Sequence, residues 1–412
     1  MANPLRIALI GTGFMGRMHA QAWRTAHRFF DLPLEPELTV VVGRDADRTA
    51  RAARTLGAAE QSTDWSEVIG RADVDLVDIC TPGDTHAAIA VAALEAGLHV
   101  LCEKPLANDV AEAERMAQAA GRALDRGVVS MCGFSYRRTP ALALARRLVA
   151  EGRIGQVRHV RAQYLQDWLS DPDAPFTWRL DSNRAGSGAL GDIGAHSIDT
   201  AQWLTGDHIE GVSATMRTFV DTRPLLGEQV GLGGRAERGG PRERVTVDDA
   251  VAFTAQFATG ALGVFEATRM ATGRRNANRI ELNGDRRSLA FDFERMNELE
   301  LSVPYSQRLQ TTDNRNGTWT LASGSLPNGL VLPRDTITGT PIQAQTSTFQ
   351  ILFTDTANLT ARKTLNIVIG PASPGTGYAA YAWGSNFYGE LGDGTATTRW
   401  APLGLDRAGV HP

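Results

Sequence analysis

Lysine is nearly missing from this sequence. Of the 42 basic Lys and Arg residues in a chain of 412, only Lys104 and Lys363 are lysines. Arginine is therefore the default cation, so a lysine here is not a generic surface charge. Arginine is a planar fork that stays charged, whereas lysine is a compact ammonium that can deliver or lose a proton. Lys104, which follows an apolar run in "HVLCEKPLA", is thus a candidate for chemistry.

The sequence also has few cysteines, no excess of positive charge and no long apolar run. Three cysteines do not suggest a disulfide framework, and they favour a reduced cytosol. A net charge of -4 leaves no basic field to hold a nucleic acid or an acidic membrane. No apolar run reaches the roughly 20 residues that span a bilayer, and the N-terminal stretch lacks the features of a signal peptide. We expect a cytoplasmic protein whose partner is a small molecule, with neither nucleic acid nor membrane.

A glycine-rich turn stands near the start of the chain. The apolar run "LRIALI" is followed by "GTGFMG" and then by a helical pattern, which is the context that a dinucleotide-binding glycine motif requires. Gly11 permits the tight turn, Gly13 lets the backbone approach a pyrophosphate, and Gly16 allows close packing of helix on strand. The helix N-terminus then offers free N–H groups to the phosphates.

Apolar strands alternate with helical segments up to about residue 130, and this alternation predicts an α/β fold with a doubly wound parallel sheet. Ligands bind such sheets at the carboxyl ends of the strands. Thr81, Pro82, Glu103 and Lys104 all fall at such ends. From about residue 130 to residue 303 the pattern instead predicts an α+β domain built on a largely antiparallel sheet.

The segment "GDIGAH" places Asp192 and His196 four residues apart, on one face of a predicted helix. Asp192 could be a helix cap and His196 a core histidine. The functional alternative is dehydrogenation of an alcohol, which needs a base and a group that stabilises charge on oxygen. We hypothesise that His196 is the base, that Lys104 polarises the oxygen, and that Asp192 positions one or both. No metal site is expected.

Five motifs in order, "GTGFMG", "TPGDTHAAIA", "CEKPLA", "GFSYRRTPA" and "GSGALGDIGAHSID", resemble the Gfo/Idh/MocA oxidoreductases. The resemblance covers residues 4–303, and "YLQDW" and "WRLD" look most like the levoglucosan and inositol-type dehydrogenases of that family. It implies an NAD(P)-binding Rossmann domain at 1–128 and a catalytic α+β domain at 129–303. The open sheet of the second domain commonly makes an oligomer contact in the family. The implied activity is hydride transfer between NAD(P) and a hydroxyl carbon of a sugar, anhydrosugar or cyclitol.

The resemblance also implies site residues. The lysine of the family's EKP motif is catalytic and corresponds to Lys104, and its Asp-x-x-x-His pair corresponds to Asp192 and His196. The implied cofactor contacts are Gly11, Gly13, Phe14, Met15, Gly16, Arg44, Thr81, Pro82, His86, Glu103 and Lys104. The implied substrate contacts are Tyr136, Arg137, Gln166, Trp168, Trp178 and Arg179. An equal alternative to substrate contact is that the aromatic side chains of this second set serve packing and that its arginines lie on the surface.

The choice between NAD and NADP depends on the end of the second strand, "VVGRDAD". A carboxylate there would hold the ribose diol of NAD, whereas an arginine favours the phosphate of NADP. Asp45 stands one position late, and Arg44 could bind a phosphate or stack on adenine. We expect NAD, with NADP as the alternative.

After Val303 the family pattern stops. Residues 304–371 resemble a bacterial Ig module, and residues 372–412 resemble a linker with one RCC1 repeat. A single repeat cannot close a propeller. The chain could be a natural fusion, a truncated enzyme joined to foreign sequence, or an inactive enzyme whose tail is the functional part. The second explanation is favoured. The alternative function is therefore an impaired fusion or chimera whose β-rich tail is a binding or adhesion module.

Overall fold

A computed structural model describes most of the chain. The described residues are 4–230, 233–236, 239–302, 305–309, 316–343, 345–369, 381–384 and 399–404. Among them, no helix combines the length and the apolar character needed to cross a bilayer.

A six-stranded parallel sheet forms the first domain, with strand order β3-β2-β1-β4-β5-β6. Its strands are β1 (Pro4–Ile10), β2 (Glu35–Val42), β3 (Glu60–Ser62), β4 (Leu76–Ile79), β5 (His99–Cys102) and β6 (Ser130–Cys132). Its helices are α1 (Phe14–Phe29), α2 (Ala46–Leu56), α3 (His86–Glu95) and α4 (Val110–Leu124). The strand order reverses between β1 and β4, which is where sheets of this kind bind nucleotides.

Local sequence explains these elements. The apolar strand residues pack into two buried clusters, one on each side of the sheet, as expected for strands covered by helices on both faces. Asp45 and Asp109 cap α2 and α4 by accepting hydrogen bonds from backbone N–H groups of the first turn. Gly57 ends α2 in the left-handed conformation that glycine adopts without strain.

The second domain is built on a seven-stranded mixed sheet, ordered β17-β16-β15-β7-β14-β13-β8, in which β7 and β14 are parallel and the other pairs antiparallel. Its helices are α5 (Pro140–Ala150), α6 (Ser182–Ala185) and α7 (Ala195–Thr205). Its strands are β7 (Val157–Leu165), β8 (Ile209–Arg217), β9 (Thr222–Pro224), β10 (Leu226–Val230), β11 (Gly233–Ala236), β12 (Arg242–Arg244), β13 (Ala250–Phe257), β14 (Leu262–Thr268), β15 (Ala277–Gly284), β16 (Ser288–Asp292) and β17 (Glu300–Ser302).

The two faces of this sheet differ in burial. Side chains of α5 and α7 pack on one face and form the core of the domain. The opposite face is open, and it carries the exposed apolar side chains Leu262 and Val264 of β14. The predicted fold class, a Rossmann domain followed by an α+β domain with an open, largely antiparallel sheet, is confirmed.

The tail is also β-rich, as predicted. It contains β18 (Tyr305–Arg308), β19 (Gly317–Gly324), β20 (Leu330–Val331), β21 (Thr336–Gly339), β22 (Gln345–Asp355), β23 (Thr360–Ile369), β24 (Tyr381–Gly384) and β25 (Arg399–Gly404). Strands β18–β23 form two three-stranded sheets around a core of their own. The RCC1-like segment lies outside the described residues, apart from the paired strands β24 and β25. The domain boundaries at 128, 303 and 371 stay predictions.

Candidate active site

The glycine turn between β1 and α1 is closely fitted to the neighbouring strand end. Gly11 has φ +113°, and a Cβ there would lie 2.6 Å from the Cys80 carbonyl oxygen. A Cβ at Gly16 would lie 1.9 Å from the Gly11 carbonyl oxygen. At Gly13 a Cβ would meet nothing within 4 Å. Gly11 and Gly16 are therefore required by packing, whereas Gly13 faces open space.

This turn fits the pyrophosphate of a dinucleotide. Gly13 is the N-cap of α1 without a side-chain hydrogen bond, and the first turn of α1 carries no acidic residue. Its N–H groups and the positive end of the helix dipole thus point into the open space at Gly13. Phe14 and Met15, predicted to contact the cofactor, form the half-buried start of the same helix.

The remaining predicted cofactor residues divide into two groups. Thr81 and Pro82 follow β4, and the ring nitrogens of buried His86 lie 2.9 Å from the Thr81 carbonyl oxygen and 3.0 Å from that of Pro105. His86 therefore ties the loop after β4 to the loop after β5. Arg44 is exposed at the end of β2, where the neighbouring Asp45 side chain is engaged as the cap of α2.

Lys104 reaches from the first domain to the second. Its Nζ donates to the Asp192 carbonyl oxygen at 2.7 Å and lies 3.5 Å from the Asp192 carboxylate. The other Asp192 oxygen lies 3.4 Å from the guanidinium of Arg269, which is fully buried. Burial raises the pKa of Asp192, but the positive charges of Lys104, Arg269 and Arg179 outweigh this effect and lower the pKa to about 2. Asp192 is therefore ionised and holds the Lys104 ammonium.

The helical segment that carries Asp192 begins as a π-helix (Leu190–Gly194) and continues as α7. The Asp248 carboxylate accepts hydrogen bonds from the backbone N–H groups of Gly188 and Leu190, at 2.7 and 2.8 Å. A wide turn of this kind alters the facing of side chains relative to a regular α-helix. The predicted regular helical spacing of Asp192 and His196 is thus replaced by a π-turn that directs Asp192 toward Lys104.

His196 lies against aromatic rings. Its ring centroid is 4.5 Å from that of Tyr136 and 5.9 Å from that of Phe134. Burial, assisted by the Lys104 charge, lowers the pKa of His196 to about 3, so the imidazole is neutral. Its Nδ1 is buried and has no hydrogen-bond partner among the described residues. The structure thus places Asp192 in contact with Lys104, and the contacts of the imidazole are aromatic.

A polar network continues from Tyr136 across the same cleft. The Tyr136 hydroxyl lies 2.6 Å from the Tyr164 hydroxyl, which donates to Asn276 Oδ1 at 2.7 Å. The Gln166 amide donates to the same Asn276 oxygen at 2.9 Å and accepts from the Trp168 indole at 3.1 Å. Tyr136, Gln166 and Trp168, all predicted substrate contacts, therefore belong to one network.

The other predicted substrate contacts are held differently. The Arg179 guanidinium lies 4.4 Å from the Trp178 ring, and burial lowers the pKa of Arg179 although Asp192 raises it. Arg179 therefore lies close enough to Asp192 to interact with its charge. Arg137 instead forms an ion pair with Asp199 of α7, and its side chain is nearly half exposed.

Sequence reasoning missed several groups at this site, namely Arg269, Tyr164, Asn276 and Asp248. Arg269 directly follows β14 and lies 5.5 Å from the Trp168 ring, and Tyr164 is a buried residue of β7. Polar residues at the carboxyl ends of β7 and β14 were the available signal, because these two strands are parallel and end at the same edge of the sheet.

Comparisons with protein families agree with this architecture. A family model described as "Oxidoreductase family, NAD-binding Rossmann fold" matches residues 5–131, and one described as "GFO/IDH/MocA C-terminal domain" matches residues 142–290. An Ig-domain model matches residues 296–370. NAD is thus the cofactor class of the first domain.

Individual proteins extend the comparison. Levoglucosan dehydrogenase of Pseudarthrobacter phenanthrenivorans is 42% identical over 74% of this chain and 77% of its own length. Myo-inositol 2-dehydrogenase of Thermotoga maritima is 28% identical over 65% of this chain and 69% of its own. Among solved structures, an oxidoreductase domain protein from Kribbella flavida is 60% identical with a TM-score of 0.69, covering 74% of this chain and 77% of that one.

A levoglucosan dehydrogenase in complex with NADH and L-sorbose is 41% identical, with a TM-score of 0.67, over 73% of this chain and 76% of that one. Both domains of the enzyme region are thus matched by family models and by relatives of high identity. The chain belongs to the GFO/IDH/MocA family of NAD-binding oxidoreductases.

Proposed function

We propose that this protein is an NAD-dependent dehydrogenase that oxidises one hydroxyl carbon of a sugar, anhydrosugar or cyclitol. The observation that supports this most is the contact between the two domains at Lys104. An ammonium from the end of β5 meets Asp192 of the second domain, and His196, four residues further along, lies close enough for the Lys104 charge to lower its pKa. Charge stabilisation and a neutral base are thus available in one cleft.

Each residue has a distinct role in this proposal. The neutral His196 imidazole accepts the hydroxyl proton, because its unprotonated state persists through neutral pH. The Lys104 ammonium stabilises the negative charge that develops on the oxygen. Asp192 fixes the ammonium by accepting its hydrogen bond and stays ionised while doing so. NAD bound at the glycine turn would accept the hydrogen of the carbinol carbon together with its electron pair, as a hydride.

The substrate class follows from the relatives and from the cleft. The named relatives act on levoglucosan and on inositol, which are polyhydroxylated rings. In this chain, Gln166, Asn276 and the Tyr164 hydroxyl offer neutral donors and acceptors beside aromatic Trp168. Neutral hydrogen-bonding groups and an aromatic face are suited to a ring with several hydroxyl groups.

The test is NADH formation with a panel of anhydrosugars, inositols and aldoses. We expect turnover with at least one of them, and a loss of about 100- to 10,000-fold in kcat for Lys104→Met. Lys363→Met, which changes the only other lysine, is the matched control and should leave kcat unchanged. NADH affinity, followed by fluorescence, should change less than about twofold in both variants. Wild-type turnover in Lys104→Met with normal NADH binding would remove Lys104 from the mechanism.

A second candidate is a binding module in the tail. The Ig-domain match at 296–370 and the separate core of strands β18–β23 favour a unit with its own surface. Absence of turnover with every member of the panel, despite tight NADH binding, would favour this alternative of an impaired fusion.

We further propose that the protein is cytoplasmic and assembles as a homo-oligomer through the open face of the seven-stranded sheet. Support comes from three free thiols and from the exposed apolar side chains of that face. Sedimentation should give a mass above that of one chain. Replacing Val264 by Glu should lower that mass if this face is the contact.

A further inference from the structure

A buried cluster of charged groups lies beneath the glycine turn, outside the groups assigned above to the chemistry. His19 of α1 has Nδ1 2.9 Å from Asp78 Oδ1 and Nε2 3.0 Å from Glu103 Oε1. Asp78 lies in β4 and is fully buried, and Glu103, the residue before Lys104, is 7% exposed. One imidazole thus bridges the carboxylates of two neighbouring strand ends.

Geometry fixes the protonation of this imidazole. An ionised carboxylate only accepts hydrogen bonds, so an imidazole that bonds to two of them carries a proton on each ring nitrogen. Burial lowers the pKa of His19, but its hydrogen bonds to Asp78, Cys80 and Glu103 raise it to about 12. Two buried carboxylates without a cation between them would be strongly destabilising. His19 is therefore an imidazolium that neutralises part of the cluster.

Glu103 transmits this arrangement to Lys104. While Oε1 accepts from His19, Oε2 accepts from the Lys104 backbone N–H at 3.1 Å. A Cβ at Gly133 would come within 3.1 Å of Oε1, so the carboxylate is closely enclosed. Contacts therefore run from α1 through Glu103 to the Lys104 backbone, and from the Lys104 ammonium to Asp192.

We propose that His19 is a positioning residue of the active site: by bridging Asp78 and Glu103 it fixes the Glu103 carboxylate that holds the Lys104 backbone, and so sets where the Lys104 ammonium meets Asp192. The proposal depends on the catalytic role of Lys104 in the proposed function. His19 has no direct contact with the groups assigned to the chemistry, and its effect on Lys104 passes through Glu103.

A metal ion is the competing explanation for this cluster. The ligand atoms of His19, Asp78 and Cys80 lie within 4.8 Å of one another. A metal would need a free ring nitrogen and a thiolate. Here both nitrogens are engaged by carboxylates, the Trp23 indole donates to Asp78 at 2.7 Å, and burial raises the pKa of the Cys80 thiol to about 12. These contacts favour the imidazolium.

The scarcity of lysine makes the proposal directly measurable. Protein labelled with ¹³C- and ¹⁵N-lysine gives side-chain signals from only two residues, and Lys363→Arg assigns them. In the NADH-loaded protein, His19→Gln should shift the Lys104 signals and leave those of Lys363 in place. Because a small misplacement of a reacting group is costly, kcat should fall by roughly 100-fold while NADH affinity changes less than about twofold. His27→Gln, on the exposed side of the same helix, is the matched control and should change neither.

Three results would overturn the proposal. The first is unchanged Lys104 signals in a folded His19→Gln protein. The second is a stoichiometric metal ion in the wild-type protein that is lost with His19→Gln. The third needs no variant: NMR of the wild-type ring would show His19 titrating near its ordinary pKa instead of staying doubly protonated from about pH 6 to about pH 9. None of these measurements requires turnover, so a failure of the proposed function would be recognised separately, by the substrate panel.

Discussion

At the scale of single residues, the site places a neutral histidine beside a charged pair. Lys104 and Asp192 form a charged pair, while the adjacent His196 is kept neutral by burial and by the same ammonium. The positive neighbour keeps the imidazole unprotonated before the substrate hydroxyl is deprotonated, and it also weakens the imidazole as a base. The two functions assigned to Lys104, charge stabilisation and tuning of His196, are therefore linked.

This linkage predicts a pH effect on stability. The pKa of His196 is about 3 in the folded chain and about 6.5 when unfolded, so between these values the unfolded chain binds more protons. Stability gained from the neutral imidazole is full above the unfolded value and is lost as pH falls. Urea unfolding at about pH 7 and about pH 4.5 should therefore show a larger loss for the wild type than for His196→Asn. Equal losses would contradict a depressed pKa.

The same linkage predicts an effect of Lys104→Met on His196. Removing the ammonium removes one of the two causes that lower the pKa of His196, so the pKa should rise. Burial remains, so the value should stay below that of a free histidine. NMR titration of the ring in wild type and variant measures both values. A lower pKa in Lys104→Met would show that the two groups do not interact as described.

At the scale of elements, the β1–α1 turn uses its glycines for two different reasons. Gly16→Ala would place a methyl group against the Gly11 carbonyl oxygen, and we expect a loss of about 1–3 kcal/mol in the free energy of unfolding. Gly13→Ala would place it in open space, so stability should change by less than about 0.5 kcal/mol. NADH affinity should nevertheless fall at least about tenfold in Gly13→Ala, because the added methyl group occupies the space for the pyrophosphate.

Denaturation and NADH titration of both variants test this contrast. Normal NADH affinity in Gly13→Ala would place the pyrophosphate elsewhere. Unchanged stability in Gly16→Ala would mean that the helix can move away from the strand at little cost.

At the scale of the whole molecule, the tail has a hydrophobic core separate from the cores of the two enzyme domains. Phe349→Ala empties a fully buried position in that core and should cost the tail about 3–5 kcal/mol. Calorimetry should show a lower transition for the tail alone, with NADH affinity and kcat unchanged. Phe265→Ala, at an equally buried position in the core of the second domain, is the control and should lower the enzyme transition. Loss of NADH affinity in Phe349→Ala would show that tail and enzyme fold as one unit.

Patterns within a short stretch of chain were sufficient for much of the fold. The strands and helices of the first domain follow from apolar runs, caps and glycines that act over a few residues. The antiparallel strands of the second domain follow from the alternation of buried and exposed side chains, as in β14. The π-turn before α7 could not be predicted this way, because it depends on the Asp248 carboxylate, about 60 residues further along the chain.

The sequence by itself determined the nucleotide-binding turn and the candidate status of Lys104, because glycine spacing and the rarity of lysine are local properties of the chain. Only the tertiary structure decided three pairings. The partner of Asp192 is Lys104 and not His196, Arg137 pairs with Asp199, and His19 bridges two strand ends. Lys104 and Asp192 are 88 positions apart, and His19 and Glu103 are 84 apart. The partner of a charged group is chosen by distance and burial after folding, and neither is encoded in the residues next to it.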